Sequence, residues 1–217
     1  MPTMEHLKKW VNIRIDEFTP GALDFESIEP VIDDLDQEIE NSMHELIRLA
    51  PRERIYRYGQ AIPMNNAELS NGKLLIEMPE DWLRFLRVEL PNWNQAVDFL
   101  TSVDAEPYRR ATHRYMAPTN FRPFVALIPG TENMYLDCRP ADGDTSIGEV
   151  EAIYVPEVPA TDVDSSLEDV LVWLAVSRTF QIIRQPGLAQ QARQKGLSLL
   201  QPPSEIFYGQ QPQEDES

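Results

Sequence analysis

Residues 28–51 read IEPVIDDLDQEIENSMHELIRLAP, and this stretch decides the helical part of the fold. Its apolar residues recur every three or four positions, which is the period of one helix face. They are Ile28, Ile32, Leu35, Ile39, Met43, Leu46 and then Leu49 or Ala50. Pro30 fits a first helical turn, and Pro51 cannot continue the helix. The pattern predicts a helix of about six turns that starts near Ser27 and ends at Pro51.

The same period marks both ends of the chain. The N-terminal stripe is Leu7, Trp10, Val11 and Ile15, and residues 19–21 (TPG) break it. The C-terminal stripe is Leu167, Val170, Leu171, Leu174, Ala175, Arg178 and Ile182. Ser165, with Glu168 three residues later, predicts a capping box at the start of that helix. A break at Pro186 and Gly187 precedes another helix over residues 188–200.

The middle of the chain has short apolar runs separated by turn residues. They cover residues 54–58, 73–78, 82–90, 124–128, 133–138 and 150–155. This spacing predicts an antiparallel sheet, a small sandwich or a barrel, with a hairpin at 124–138. The run at 82–88 carries too many large apolar groups for a solvated face. It is either a central strand or is buried against a neighbour.

The expected fold class is therefore α+β, with N- and C-terminal helices packed as a bundle and an antiparallel β-sandwich or barrel-like module inserted between them. The predicted parts are residues 1–52 (N-terminal helices), 53–160 (β module), 161–200 (C-terminal helices) and 201–217. The last part holds four acids and no base, so we expect an extended or disordered acidic tail.

Composition excludes several classes of protein. The 217 residues contain 36 Asp and Glu against 19 Lys and Arg, a net charge of −17. Such a chain repels nucleic acid on average, which disfavours a basic DNA reader. No apolar run approaches the ~18–20 residues that cross a bilayer. The first 18 residues lack the pattern of a secretory signal, and one cysteine, Cys138, cannot form an internal disulfide, so we expect a cytoplasmic protein.

Candidate metal sites are weak. The acidic residues of the long helix are Asp33, Asp34, Asp36, Glu38 and Glu40. They suit either a divalent-cation site or a solvated helix face, and the lack of a glycine turn favours the solvated face. Residues 142–148 (DGDTSIG) resemble the start of a calcium loop, but Ile147 and Ile153 stand where the loop needs Gly and Glu. A β-turn is therefore expected there.

Catalytic signatures are also weak. The histidines are His6, His44 and His113, and none has a partner at metal-ligand spacing. The chain has no G-x-S-x-G turn and no Cys–His motif. We therefore expect no catalytic residue, no metal and no cofactor.

One basic segment stands out against the acidic average. Residues 107–131 contain no acid, and their charged residues are Arg109, Arg110, Arg114 and Arg122, interleaved with Tyr108, Tyr115 and Phe121. Arginine mixed with aromatic residues suits phosphate contact or a protein interface. The net charge favours the interface over nucleic acid, and an ordinary exposed loop is equally compatible.

A longer set of short sequence motifs resembles the motifs of a known family. It consists of residues 72–85 (GKLLIEMPEDWLRF), 90–93 (LPNW), 120–126 (NFRPFVA), a strand over 150–156 and the helices on either side. Over residues 25–200 the chain is similar to the head-to-tail adaptor or ring proteins of tailed bacteriophages, particularly those of crAss-like phages.

The resemblance implies a non-enzymatic virion protein at the neck, assembled in the cytoplasm of the bacterial host. It implies a ring, commonly of twelve copies, that connects the portal to further neck or tail proteins and surrounds exiting DNA without reading its sequence. Family C-terminal segments dock on the portal, which suggests Ile206, Phe207 and Tyr208 as anchors here. The acidic helix face would line the lumen, and the four arginines would meet the portal or that face of a neighbour.

Two rivals remain open at this point. One is a bacterial enzyme or small-molecule-binding protein with a β-sandwich domain, which requires a pocket lined by convergent polar groups. The other is a generic intracellular interaction module whose acidic tail recruits a partner.

Overall fold

A computed structural model describes residues 1–18, 35–111, 117–131, 133–141, 143 and 145–201. The chain divides into two units, one formed by Met1–Ser42 and Val163–Ser217, the other by Met43–Asp162. The first unit is helical and the second holds the strands, so the α+β prediction is confirmed. The predicted domain limits stay a prediction.

The helical unit is built around the helix Glu168–Ile182, labelled α5. Its described helices are α1 (Met4–Phe18), the first half of α2 (Leu35–Leu49), α5 (Glu168–Ile182) and α6 (Pro186–Leu200). Ten of the 15 residues of α5 are buried, on every side of the helix. The sequence predicted burial along one stripe of this helix. The helix is buried on all sides instead, as expected at the centre of a bundle.

Two helices pack directly on α5. From α1, Leu7, Val11 and Ile15 are buried, as their spacing predicted. From α6, small residues allow a close approach, since a Cβ on Gly196 would lie 3.1 Å from the Cβ of Trp173. The hydroxyl of Ser177 donates a hydrogen bond to a backbone carbonyl of α6, 2.8 Å away, and so satisfies a buried polar group.

The capping-box prediction is wrong. Helix α5 begins at Glu168 itself, and no side chain caps it. Asp164 instead forms the turn before the helix, where its carboxylate accepts a hydrogen bond from the amide of Ser166 at 2.9 Å. Glu168 therefore takes no part in capping. Its carboxylate lies 2.9 Å from Nε2 of His6 on α1.

The β unit contains two antiparallel sheets. The strands are β1 (Gln60–Ala61), β2 (Glu68–Ser70), β3 (Lys73–Glu77), β4 (Trp82–Glu89), β5 (Phe124–Pro129), β6 (Met134–Arg139) and β7 (Glu151–Pro156). Their orders are β1-β7-β4 and β2-β3-β6-β5. One cluster of buried side chains draws on both sheets, including Phe85 and Tyr154 from the first and Ile76, Val125 and Leu136 from the second. This arrangement is that of a small sandwich.

The predicted hairpin is confirmed, with β5 and β6 paired from Phe124 opposite Arg139 to Pro129 opposite Met134. Two short helices accompany the strands, α3 (Arg52–Ile55) and α4 (Glu106–Ala111). Residues 54–58 are therefore not a strand. They continue from α3 into a 3-10 turn over Tyr56–Tyr58, because the chain bends after Pro51 and only Ile55 finds a buried position.

Strand β4 is at the edge of its sheet, not at its centre. Its register shifts twice against β7, between Trp82 and Arg84 and between Phe85 and Arg87. Consecutive residues Phe85 and Leu86 are both buried as a result. The apolar excess in this run is thus explained by burial on both faces of the strand.

Arg84 of the same strand binds the C-terminal end of α2. Its Nη1 donates hydrogen bonds to the carbonyl of Ile47, at 2.9 Å, and to that of Ala50, at 2.5 Å. These carbonyls have no partner inside the helix, so the guanidinium acts as a C-cap. Ala50 is buried and Leu49 is exposed, which decides between the two alternatives for the last position of the stripe.

Candidate assembly surface

Helix α4 carries two of the four arginines of the basic segment. Arg109 and Arg110 are exposed on it, and Arg110 pairs with Glu106 one turn earlier. The side chain of Tyr108 points inward instead, and its ring lies 5.6 Å from that of Phe124 at the start of β5. Tyr108 is therefore the anchor of α4, and the arginines are the groups that α4 presents to solvent.

A buried carboxylate holds this anchor. Asp137 on β6 is fully buried, and both of its oxygens accept hydrogen bonds from Arg139, at 2.8 and 2.7 Å. The hydroxyl of Tyr108 donates to the same carboxylate at 3.4 Å, and the Arg139 guanidinium lies 5.9 Å from the Tyr108 ring. We name these three residues, Tyr108, Asp137 and Arg139, the anchor cluster.

Electrostatics ties the anchor cluster together. Burial, and then the nearby carboxylate of Asp137, raises the pKa of Tyr108. The hydrogen bond to Asp137 raises the pKa of Arg139. Sequence reasoning missed this site. Its signal is an Asp inside an apolar strand with an Arg two positions later, since alternate residues of a strand point to the same face.

The turn before β5 presents a third arginine and an aromatic ring. Phe121 is 74 % exposed and Arg122 is also exposed. The turn is closed by the Arg122 amide, which donates to the carbonyl of Thr119 at 2.8 Å. Since Tyr108 of α4 packs on Phe124, two residues after Arg122, α4 and this turn both lie near the start of β5. Arg114 and Tyr115 lie outside the described residues.

The acidic face of α2 is partly neutralised by ion pairs. The carboxylate of Asp36 lies 2.6 Å from the ammonium of Lys8 and, by its hydrogen bond, raises the pKa of that group. Glu38 lies 3.6 Å from Arg178 of α5. Glu40 is half-buried. The remaining candidates, Asp33 and Asp34, lie outside the described residues, as do the tail anchors Ile206, Phe207 and Tyr208.

No metal or membrane site emerges from the part of the chain that the structure describes. It contains no group of three His, Cys, Asp or Glu side chains that could hold a metal ion. It also contains no helix that is both long and apolar enough to cross a bilayer. Cys138 is buried in the core of the sandwich, and burial raises the pKa of its thiol. The aspartates of the 142–148 turn and His113 lie outside the described residues.

A small cleft opens beside the β5–β6 hairpin. Its volume is about 210 Å³, and it is lined by Glu77, Glu80 and three asparagines, Asn65, Asn66 and Asn133, with Pro63, Met78 and Pro79. Asn66 and Asn133 both donate to the carboxylate of Glu77. Ligand pockets span roughly 300–1,000 Å³, so a cleft of this volume does not favour the small-molecule rival.

The exposed arginines and the exposed ring of Phe121 are of the residue types that are enriched at protein interfaces. The SU10 adaptor protein family matches residues 14–207. The chain therefore belongs to the SU10 adaptor family, the members of which are structural head-to-tail adaptor proteins of bacteriophages. No curated protein matches the chain significantly.

Proposed function

We propose that this chain forms a closed ring below the portal, joins the capsid to the tail and surrounds the exiting DNA, acting by assembly and not by catalysis. The observation that carries the proposal is the family match, which extends over residues 14–207 and so covers both units. The finer likeness to crAss-like ring proteins, the expected twelve copies and the location at the virion neck belong to the same proposal.

The distribution of charge supports a ring. Residues 107–131 carry four arginines and no acid, whereas residues 24–40 carry eight acids and no base. Two unlike surfaces on one chain favour heterologous contacts, which close into a ring when the rotation between copies closes. In this proposal Arg109, Arg110, Arg114 and Arg122 contact a neighbouring copy or the portal.

The acidic residues suit a lumen for DNA. Asp33, Asp34, Asp36, Glu38 and Glu40 would face the duplex, because attraction between a wall and the phosphates would slow its passage. The pairs Asp36–Lys8 and Glu38–Arg178 reduce the charge of this face and so weaken its repulsion of the duplex. Net negative charge without base-reading groups fits transit without sequence recognition.

Electron microscopy of the chain mixed with the portal of the same phage tests the proposal. We expect a closed ring stacked on the portal. A chain that stays monomeric beside an intact portal would contradict it and would favour a generic interaction module. The portal must be present, since the isolated chain need not assemble by itself.

Charge reversal tests the basic contact in the same assay. Arg109→Glu with Arg110→Glu should reduce ring formation on the portal by about tenfold or more, since interface arginines rank among the strongest contributors to binding. The matched control is Arg193→Glu with Lys195→Glu on the exposed side of α6, which changes the net charge equally. Equal effects of the two pairs would show that only net charge matters.

A further inference from the structure

Phe121 exposes an apolar ring where solvent would normally meet polar atoms. At 74 % it is more exposed than every other large hydrophobic side chain in the described residues except Met1. It adjoins Arg122. Arg109 and Arg110 are exposed on α4, the helix that packs through Tyr108 on Phe124 at the start of β5. We name Arg109, Arg110, Phe121 and Arg122 the basic-aromatic surface. An aromatic ring among arginines is typical of a protein-binding hot spot.

The chain itself contains a segment of complementary chemistry. Residues 202–217 read PPSEIFYGQQPQEDES, with four acids and no base, and therefore a charge of −4. The basic-aromatic surface holds three arginines, and Arg110 pairs with Glu106, so these four charged groups sum to +2. The same C-terminal segment places Ile206, Phe207 and Tyr208 in an unbroken apolar run. It thus offers negative charge that complements the arginines, and aromatic groups that can pack on Phe121.

We propose that the C-terminal segment, residues 202–217, of one copy binds the basic-aromatic surface of the neighbouring copy in the ring. Phe207 and Tyr208 pack on the ring of Phe121, and the acidic residues pair with the arginines around it. The inference rests on the proposed ring and names the occupant of one of its contacts. It assigns the tail to a neighbouring copy, whereas the family resemblance implies the portal.

The length of the segment makes the contact feasible. Sixteen residues follow Gln201, and a fully extended chain of that length would span on the order of 50 Å. Because donor segment and acceptor surface lie on the same chain, each copy gives one contact and receives one, which is the heterologous pattern that closes rings.

Photo-crosslinking within the assembled ring tests the proposal. Full-length chain carrying a photoreactive benzoyl-phenylalanine at position 208 is mixed with isotopically heavy chain that lacks the probe, and the mixture is assembled on the portal. We expect cross-linked peptides that join the light tail to heavy residues 107–131. The heavy label identifies the acceptor as another copy of the chain.

A matched pair of variants controls for general exposure. Phe121→Ala in the heavy chain should lower the yield of this cross-link by about tenfold. Phe99→Ala should leave the yield unchanged, because Phe99 is also well exposed, at 60 %, but lies outside the basic-aromatic surface. An equal loss from both variants would overturn the assignment of Phe121.

The same experiment distinguishes a wrong tail contact from the absence of a ring. A ring whose tail cross-links to the portal, or only to its own chain, overturns this inference and leaves the ring intact. The absence of any ring overturns the proposed function and this inference with it.

Discussion

Asp137→Asn should cost far more stability than the same substitution at Asp98. Each carboxylate pairs with an arginine at close range, Asp137 with Arg139 at 2.7 Å and Asp98 with Arg52 at 2.6 Å. The two pairs differ in burial, since the side chain of Asp137 is 1 % exposed and that of Asp98 is 65 % exposed. They therefore form a matched test of what burial does to an ion pair.

The expected magnitudes follow from that difference. Removing one partner of a buried pair costs about 3–5 kcal/mol. The charge left behind here is that of Arg139, whose side chain is 19 % exposed, which lowers the cost. Asparagine keeps one acceptor oxygen, so we expect the lower end, about 3 kcal/mol, for Asp137→Asn. An exposed pair contributes about 0–1 kcal/mol, so Asp98→Asn should cost less than about 1 kcal/mol.

Urea unfolding at neutral pH measures both effects. With a slope near 2 kcal/mol per molar urea, a loss of 3 kcal/mol lowers the midpoint by roughly 1.5 M. Replacing the pair by apolar groups, Asp137→Leu with Arg139→Met, should recover most of that loss. Similar midpoints for Asp137→Asn and Asp98→Asn would refute the reasoning, since burial would then make no difference.

Three further outcomes are expected, two from the same urea unfolding and one from thiol labelling. Arg84→Met removes the two hydrogen bonds that cap α2 and should cost about 1–3 kcal/mol, since two carbonyls lose their donor; an unchanged midpoint would show that water replaces the cap. Gly187→Ala should stabilise α6 by roughly 0.5–1 kcal/mol, because the Cβ of the new alanine would meet nothing within 4 Å. Gly196→Ala should give no such gain, because there the added Cβ would press on Trp173. Cys138 should react with a thiol reagent only as the chain unfolds, since its thiol is buried and its pKa is raised; rapid labelling of the native protein would contradict the packing of β6.

The periodic parts of the fold could be predicted, because a repeated pattern reports burial directly. The spacing of Leu7, Val11 and Ile15 indicated the buried side of α1, and the turn residues after β5 indicated the hairpin. The error at residues 54–58 has a physical origin, since alternation over five residues is too short to exclude a helical turn. The capping box failed similarly, because Asp164 competes with Ser165 for the turn before α5.

The candidate site was predicted only in its composition. The sequence showed an acid-free segment with arginines, but not that Tyr108 turns inward while Arg109 and Arg110 turn outward. That division depends on Asp137 and Arg139, which lie about thirty positions away along the chain. Contacts of such sequence separation leave no local pattern, and the same holds for Arg84 at the end of α2.

The β unit is continuous in sequence, whereas the helical unit is assembled from both ends of the chain. On the ribosome, α1 therefore emerges before its partner α5 exists, and the whole of Met43–Asp162 is synthesised in between. At roughly 5–20 residues per second, these 120 or so residues delay the meeting of the two helices by about 6–24 s. During that interval Leu7, Val11 and Ile15 have no α5 to cover them, so the nascent chain passes through a stage in which the sandwich can fold while the helical unit is still exposed to chaperones.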